Sequence, residues 1–423
     1  MNPRTNPYAP GAGTPPPELA GRDGIVKDAA IALYRIRAGR AARSLMLMGL
    51  RGAGKTVLLN RIALDAEAEG LETCVIEAPE GRSLPSLLAP ALRVPLLRLE
   101  RRKAGIAKAG DVVARALRAL GSFVQGMRLK YDDVEFRIDL GFEQGVADTG
   151  DLELDLTALL IAVGEAARAR ETAVVLFIDE LQYVKETELG ALITALHRCA
   201  QRQLPVTLVG AGLPQLTGQL GEAKSYAERM FEFAEVGSLD ERYARQALEA
   251  PARELGERYE PAALRAIYQQ TLGYPYFLQM WGKHAWDVAE ESPITAADVT
   301  EATRLALAEL DAGFFRVRLD RLSPAEKLYL RGMAELGPGP HRSGEVAAAL
   351  GKSVRSVAPT RAKLITKGMV YSPAHGDTAF TVPLFDAYMR RVMPFEPVDG
   401  AADGGEGREE PLDPPARERA EKP

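Results

Sequence analysis

The sequence predicts an α/β protein with a mainly parallel sheet, followed by a helical region and a small helix-turn-helix domain. Two features support this prediction. Short apolar runs typical of buried strands alternate with longer helical patterns, as expected where helices cover both faces of a sheet. After residue 240 the strand runs stop, and alanine, leucine and glutamate become abundant. The five predicted strands are residues 44–48, 72–77, 173–178, 206–209 and 233–236.

The composition is that of a folded protein with two or three domains. The chain has 423 residues, and a domain takes roughly 150. Hydrophobic residues make up 46% and charged residues 26%, which excludes a wholly disordered chain. The net charge of -5 argues against a general coat of positive charge for nucleic acid or membranes, so any basic surface must be local.

Few residues are suited to disulfides or metal sites. The two cysteines, Cys74 and Cys199, lie in apolar patterns and are expected to be buried thiols, and the four histidines lack metal-ligand spacing. The longest apolar runs are much shorter than the roughly 20 residues of a membrane span, and the Pro-rich start does not resemble a signal peptide. We therefore expect a cytoplasmic protein with no membrane partner.

Three segments depart from the alternating pattern. Residues 1–20 are rich in proline and glycine and are predicted to form a flexible arm. Residues 88–150 are predicted to be an insertion, which starts with the basic helix-like run 98–108 and ends in the alternating run 134–142, typical of a hairpin. Residues 397–423 lack aromatic side chains and are predicted to be a disordered acidic tail.

A glycine-rich loop follows the first predicted strand. It matches G-x-x-x-x-G-K-[ST] and leads into a helical pattern. Its glycines allow a tight turn whose N–H groups face a triphosphate. Lys55 is expected to bridge the β and γ phosphates, and the Thr56 hydroxyl to ligate Mg²⁺. The candidate phosphate-binding residues are Gly49, Leu50, Arg51, Gly52, Ala53, Gly54, Lys55 and Thr56.

Two carboxylates end the third predicted strand. Asp179 is expected to lie beside the phosphate loop and hold Mg²⁺ if its strand neighbours the first strand. Glu180 is placed to orient and deprotonate an attacking water. For Glu180 a second interpretation stays open, because a carboxylate there also suits the cap of the following helix, residues 181–199.

Together with Gly21-Arg22-Asp23 and Gly273-Tyr274-Pro275, these motifs resemble the AAA+ ATPases, specifically their origin-recognition-like and STAND groups. The resemblance covers residues 20–392 and implies ATP and Mg²⁺ as ligands. It also implies a P-loop ATPase core (21–240), a helical lid (241–315) and a C-terminal winged helix (316–396).

The resemblance assigns roles to two further residues. Pro275 is expected to lie against the adenine, although Gly273 ending one helix and Pro275 starting the next is an equally consistent explanation. Arg229 precedes the last core strand, where the family places an arginine that reaches a neighbouring subunit's nucleotide. An arginine on a solvated helix face is the alternative for that position. With Arg229, the expected catalytic residues are Lys55 and Glu180.

The chain departs from the family at two places, and both favour slow hydrolysis. The fourth strand continues into Gly210-Ala211-Gly212, where relatives usually carry a polar sensor of the γ-phosphate. Gln182 and Gln215 are the available substitutes. The lid also lacks the arginine expected in origin-recognition relatives.

The end of the chain forms a local basic module. Residues 322–392 hold ten bases and five acids. Residues 343–350 and a helix from Pro359 to Gly368 are typical of a helix-turn-helix, with 369–372 and 379–382 as the wing hairpin. Basic side chains facing a groove displace counterions from DNA phosphates. The candidate contacts with double-stranded DNA are Lys352, Arg355, Arg361 and Lys363. In STAND relatives, by contrast, this domain packs on the ATPase and senses its nucleotide.

These observations predict an ATP-binding switch in which nucleotide controls DNA binding by the winged helix, with slow hydrolysis as the reset. The main alternative is a signalling or scaffold ATPase whose nucleotide state exposes a protein-binding surface, with self-association or a protein partner in place of DNA. A nucleotide binder without turnover is the third interpretation.

Overall fold

The computed structural model describes residues 1–11, 13–103, 108–128, 145–374 and 376–395. The predicted hairpin at 134–142 and the predicted acidic tail at 397–423 lie outside the described residues. None of the helices in the described ranges is long and apolar enough to cross a membrane.

The core alternates strands and helices as predicted. A helix α1 (Asp23–Arg37) precedes it. The core elements are β1 (Ser44–Met48), α2 (Lys55–Ala68), β2 (Glu72–Glu77), α3 (Leu84–Arg101), α4 (Ala109–Arg128), α5 (Leu152–Ala169), β3 (Val174–Asp179), α6 (Glu186–Gln201), β4 (Val206–Gly212), α7 (Leu216–Ala223), α8 (Ala227–Met230) and β5 (Phe231–Glu235).

The five strands form one parallel sheet in the order β2-β3-β4-β1-β5. Helices cover both faces, so β1, β3 and β4 are buried along their whole length. One face packs against α3 to α6 through residues such as Met46 and Leu176, and the other packs against α1 and α2 through Leu47 and Phe177. The predicted α/β fold is therefore confirmed.

The sequence analysis placed Asp179 beside the phosphate loop on the condition that its strand neighbours β1, and that condition is not met. The strand that ends in Asp179 is not the neighbour of β1, because β4 lies between them. The end of β4 carries glycines instead of bulky side chains, and a Cβ at Gly210 would collide with Leu181 and Met46. Helix α2 contacts both β4 and β3, and this brings Thr56 in its first turn to the Asp179 carboxylate.

The predicted basic helix-like run 98–108 is not one helix in the structure. Helix α3 starts at Leu84, continues through Pro90 and Pro95, and ends at Arg101. The next helix, α4, starts only at Ala109. The run 98–108 therefore covers the end of one helix and the segment before the next, and residues 104–107 lie outside the described part.

Four helices occupy the region predicted to be a lid, which we continue to call the lid. They are α9 (Glu241–Glu254), α10 (Pro261–Thr271), α11 (Pro275–Val288) and α12 (Ala296–Glu309). A π-helical turn, Leu310–Phe315, then leads into the short α13 (Arg316–Asp320), which we call the linker helix.

The C-terminal region contains a helix, a strand, two helices, a hairpin and a last helix. Its elements are α14 (Pro324–Glu335), β6 (His341–Arg342), α15 (Ser343–Ala349), α16 (Val354–Thr366), β7 (Val370–Tyr371), β8 (Asp377–Phe380) and α17 (Phe385–Val392). Helix α16 begins before Pro359, where the sequence predicted its start, because the Ser353 side chain caps it at Ser356 N–H.

The lid and the C-terminal region share one hydrophobic core. Phe315 in the π-helical turn joins them, since its ring lies 5.1 Å from that of Tyr388 and 5.7 Å from that of Phe385, centroid to centroid. The two regions that the sequence separates near residue 316 are thus packed together.

Candidate nucleotide-binding site

The loop between β1 and α2 has the backbone geometry of a phosphate cradle. Gly52 and Gly54 have φ angles of 83° and 93°, a left-handed conformation that favours glycine. A Cβ at Gly49 would collide with the carbonyl of Val236, which follows β5. Helix α2 begins at Lys55, so its first N–H groups, which lack acceptors within the helix, lie at this loop.

Lys55 is the buried cation of the loop. Its side chain is 6% exposed, and its Nζ donates to the Leu50 carbonyl at 2.9 Å. Burial lowers the pKa of Lys55, while the charges of Glu180 and Asp179 act in the opposite direction. A phosphate placed here would offset the desolvation of this ammonium group.

Thr56 and Asp179 meet at the predicted Mg²⁺ position. The Thr56 hydroxyl donates to Asp179 Oδ2 at 2.6 Å, and Asp179 Oδ1 accepts from the Glu180 N–H at 2.8 Å. Burial raises the pKa of Asp179 although these hydrogen bonds oppose the shift. A hydroxyl and a carboxylate beside a phosphate cradle fit Mg²⁺, which prefers oxygen ligands and keeps several of its waters.

Glu180 is held by Gln182, which follows β3 and reaches across to the backbone after β4. Gln182 donates its amide N–H to the Glu180 carboxylate, and Gln182 Oε1 accepts from the Leu213 N–H at 3.1 Å. Glu180 itself has a left-handed backbone, with φ 56°, and precedes the 3-10 turn Leu181–Tyr183. Of the two glutamines suggested as sensor substitutes, Gln182 links the acid to the strand that lacks a polar sensor.

A cleft of about 360 Å³ opens between the loop, the lid and the N-terminal arm. One part of its lining is apolar and includes Leu19, Ala247 and Leu278, whereas Lys55 and Thr56 line it at the phosphate loop. Small-molecule sites combine apolar walls with a few polar groups in this way. The chemistry of the lining therefore fits a nucleotide with its base toward the lid and its phosphates toward the loop.

The lid touches the phosphate loop directly. The Tyr276 N–H donates to the Gly52 carbonyl at 3.3 Å. Pro275 starts α11 and lines the cleft, so both sequence interpretations of this residue are compatible with its position. Gly273 has φ 71°, and its carbonyl accepts from the Leu239 N–H at 2.9 Å where core and lid join.

The predicted flexible arm is instead packed on the lid and over the cleft. Tyr8 is 3% exposed and donates its hydroxyl to the Leu248 carbonyl. The Trp286 indole N–H donates to the Asn2 carbonyl at 3.0 Å. The arm lines much of the cleft with residues from 9–11 and 13–20, and Gly13 lies against the Thr56 methyl group. Proline-rich composition could not show this, because the arm is ordered by aromatic residues far along the chain.

The start of the core helps to close the same cleft. Arg22 lines it, and the guanidinium donates to the Gly237 carbonyl next to the end of β5. The same residue is the N-cap position of α1, without a side-chain capping bond. The Gly21-Arg22-Asp23 motif is therefore close to the cleft as well as at a helix start.

Arg229 lies at the other end of the sheet. It is exposed on α8, which precedes the parallel strand β5, whereas the phosphate loop follows the carboxyl end of β1. Arg229 lines a different pocket there, with Arg40 and Ser44. It cannot contact the nucleotide of its own chain and could act only on another copy.

The four basic residues predicted to contact DNA divide into two groups. Lys352, Arg355 and Lys363 are exposed and form no ion pair within the described part of the chain. Arg361 differs, because its guanidinium donates to Thr378 Oγ1 at 2.6 Å and to the Asp377 carbonyl at 2.7 Å. These bonds tie α16 to β8, so Arg361 supports the hairpin and is not free for DNA.

Three residues form a cluster at the phosphate loop that no sequence pattern indicates. Arg51, Tyr274 and Arg318 come together around Gly52, from the loop, the lid and the linker helix. Arg318 lines the cleft. Because Arg318 is 267 positions after Arg51, only the spatial arrangement connects them.

Family models match two parts of the chain. Residues 18–209 match the AAA ATPase domain, and residues 312–389 match a domain of unknown function (DUF8462). No curated protein matches the chain. Residues 18–209 are thus similar to the AAA ATPase domain, in agreement with the phosphate loop at residues 49–56.

Several solved structures are similar to this chain over most of its length. The Walker-type ATPase of Pyrococcus abyssi is 14% identical with a TM-score of 0.54, over 89% of this chain and 98% of that chain. The Aeropyrum pernix ORC1 protein, solved in complex with DNA, is 16% identical with a TM-score of 0.44, over 89% and 94%. The Thermotoga maritima RuvB Holliday junction branch migration motor is 17% identical with a TM-score of 0.41, over 85% and 92%. The first of these supports the P-loop fold.

Proposed function

We propose that this protein binds ATP with Mg²⁺ between its core and lid and acts as a nucleotide-controlled switch that hydrolyses ATP slowly. The observation that carries this proposal is the convergence of Lys55, Thr56 and Asp179 at the start of α2. ATP supplies the phosphoanhydride bond that hydrolysis breaks. The groups that bind ATP and promote its hydrolysis are side chains of the protein.

The buried residues divide the work of binding and hydrolysis. Lys55 neutralises the phosphates, and Thr56 with Asp179 holds Mg²⁺. Glu180 accepts the proton of the attacking water, and Gln182 keeps its carboxylate in place. The end of β4 has no polar side chain of its own to sense the phosphates, which is the reason to expect slow turnover.

Nucleotide state reaches the C-terminal region through a direct contact with the loop. Gly368, at the end of α16, lies so close to Arg51 that a Cβ there would be 2.6 Å from Arg51 Nη2. The opposite end of α16, with Lys352 before it and Arg355 in its first turn, is exposed. We infer that the C-terminal region senses the loop at one end of α16 and offers a basic surface to duplex DNA at the other.

The test is binding of the full-length protein to a DNA duplex with ATP, with ADP and without nucleotide, over a salt series. We expect binding that depends on the nucleotide and falls with salt. The double change Lys352→Ala and Arg355→Ala should reduce the salt slope by about two, since each phosphate contact contributes about one. A matched pair on the lid, Arg253→Ala and Arg265→Ala, should leave it unchanged.

The second candidate is a signalling or scaffold ATPase whose C-terminal region only senses nucleotide. The packing of Gly368 on Arg51 favours this candidate equally. It predicts no DNA retention at any salt, together with a nucleotide-dependent change in self-association or in binding of a protein partner. Negligible DNA binding in every nucleotide state would reject the first candidate in favour of this one.

A further inference from the structure

Two arginines from distant parts of the chain lie together beside the phosphate loop. Arg51 belongs to the loop, and Arg318 to the linker helix that enters the C-terminal region. Burial lowers the pKa of Arg318 to about 10, and the positive charge of Arg51 is the next cause. Within the described part of the chain neither guanidinium forms an ion pair with a carboxylate. Like charges brought together without an acid favour an anion between them.

Two donors in this cluster have no hydrogen-bond partner among the residues that the structure describes. Arg51 Nη2 contacts the Tyr183 hydroxyl, but its Nε is buried with no hydrogen-bond partner. Tyr274 is 2% exposed, and its hydroxyl also has none. That hydroxyl lies 3.2 Å from the position of a Cβ on Gly52, so it is directly beside the loop. Buried donors without acceptors are costly, which indicates a ligand that supplies acceptor oxygens.

Arg318 is held in a geometry suited to this task. Its guanidinium stacks 3.8 Å from the centroid of the Phe314 ring, and Nη1 donates to the Phe314 carbonyl at 2.6 Å. Phe314 in turn stacks on Tyr276 at 4.8 Å between centroids, and Tyr276 donates to Gly52. A stacked guanidinium keeps further N–H groups in a fixed fork, which matches phosphate oxygens.

The cluster lies on the side of the loop where the terminal phosphate of a triphosphate is expected. The charge of Arg51 acts on Lys55, and Lys55 lies among Glu180 and Asp179. The lysine of such a loop reaches the β and γ phosphates. Lys55, Arg51 and Arg318 all line the cleft together with Glu180, so positive side chains border it from the phosphate loop to the linker helix.

We propose that Arg318, Arg51 and Tyr274 form a subsite for the terminal phosphate of the bound nucleotide, so that a residue of the linker helix distinguishes triphosphate from diphosphate. This inference rests on the proposed function. Arg318 would supply a positive side chain from outside the lid, and the lid itself lacks the arginine that the family resemblance leads us to expect. Because Arg318 precedes the C-terminal core directly, its phosphate contact ties the position of that region to the nucleotide.

The test compares the affinities of ATP and ADP, measured by competition with a fluorescent nucleotide on the full chain. Arg318→Gln should weaken ATP binding about tenfold or more and change ADP binding by less than about twofold, as expected for a lost charge-assisted hydrogen bond. Arg318→Lys keeps a charge without the fork and should fall between. Arg316→Gln, an exposed arginine two residues earlier, is the control and should change neither.

A second variant separates the phosphate role from a structural one. Tyr274→Phe removes a hydroxyl without a partner, so the melting temperature without nucleotide should stay equal or rise. ATP affinity should nevertheless fall more than ADP affinity. Wild-type protein that binds neither nucleotide would overturn the proposed function and this inference with it. Normal wild-type binding, with an unchanged ATP to ADP ratio in Arg318→Lys and Tyr274→Phe, would overturn the inference alone.

Discussion

At the scale of single residues, the site balances charges that are costly to bury. Lys55 is buried near Asp179 and Glu180, and each carboxylate has a fixed hydrogen-bond donor, Thr56 for Asp179 and Gln182 for Glu180. Such pairing keeps the acids in place before any ligand binds. Burial also raises the pKa of Asp179 and lowers that of Lys55, so a ligand of opposite charge stabilises the charged form of each group.

The clearest residue-scale prediction concerns Glu180. Glu180→Gln removes the proton acceptor and keeps the shape, so turnover should fall by about two to four orders of magnitude while ATP affinity stays within a few-fold. Single-turnover hydrolysis and nucleotide binding measure the two effects. Glu228→Gln, on the exposed α8, is the control. If turnover in Glu180→Gln equals that of the wild type, Glu180 is not the base.

Some residues of the site have a local sequence signal and others do not. The spacing of Gly49, Gly54, Lys55 and Thr56 reflects local backbone geometry, so the motif alone was sufficient. Asp179 was found because a buried strand ends in it. Tyr274 and Arg318 carry no such local signal, since their positions beside the loop depend on how the lid and the linker helix pack.

At the scale of elements, all five predicted strands are present, because strands buried on both faces have continuous apolar runs. Their ends differ by up to three residues, as for β4, which continues through glycines that apolar patterning does not detect. The order of the strands in the sheet could not be predicted from the sequence. Nor could the packing of the arm, whose anchor Tyr8 is buried by lid residues more than 200 positions away.

The junction of core and lid gives an element-scale prediction. Gly273 and Gly256 both have positive φ, 71° and 82°, so alanine strains the backbone at each. Only at Gly273 would the new Cβ also collide with a backbone carbonyl, that of Leu239. We expect Gly256→Ala to cost about 1 kcal/mol and Gly273→Ala at least about 2 kcal/mol more.

Denaturant unfolding of both variants tests this prediction. The difference between them isolates the collision, since the left-handed backbone is common to both. Equal destabilisation would mean that the junction moves aside freely and that the lid is not held at Gly273.

At the scale of the whole molecule, the cleft joins segments that are distant in sequence. The arm, the phosphate loop and the lid line it together, and the linker helix adds Arg318. The lid and the C-terminal region share one core, so a contact made on the lid side would act on a single packed unit. A population shift of that unit requires a nucleotide that binds one arrangement better than the other. The ATP-specific role of Arg318 would supply that difference.

Arg229 provides a prediction at this scale. It lies at the end of the sheet opposite the phosphate loop, so it can assist hydrolysis only in an assembly. If it does, turnover per molecule should rise with protein concentration, and Arg229→Ala should remove the rise while leaving the basal rate unchanged. Arg40→Ala, which alters the same pocket, is the control. A concentration-independent rate in wild-type protein would make Arg229 an ordinary surface residue.

The most direct test of the central claim is equilibrium binding of ATP, with and without Mg²⁺, to wild-type protein and to Lys55→Ala. We predict saturable binding at one site per chain, tighter with Mg²⁺. Lys55→Ala should weaken it at least about a hundredfold, because a buried cation then no longer meets the phosphates. The variant should fold as the wild type does, since the Lys55 ammonium group bonds to a single loop carbonyl within the described ranges. Absence of ATP binding in the wild type, or equal affinity in a folded Lys55→Ala, would contradict it.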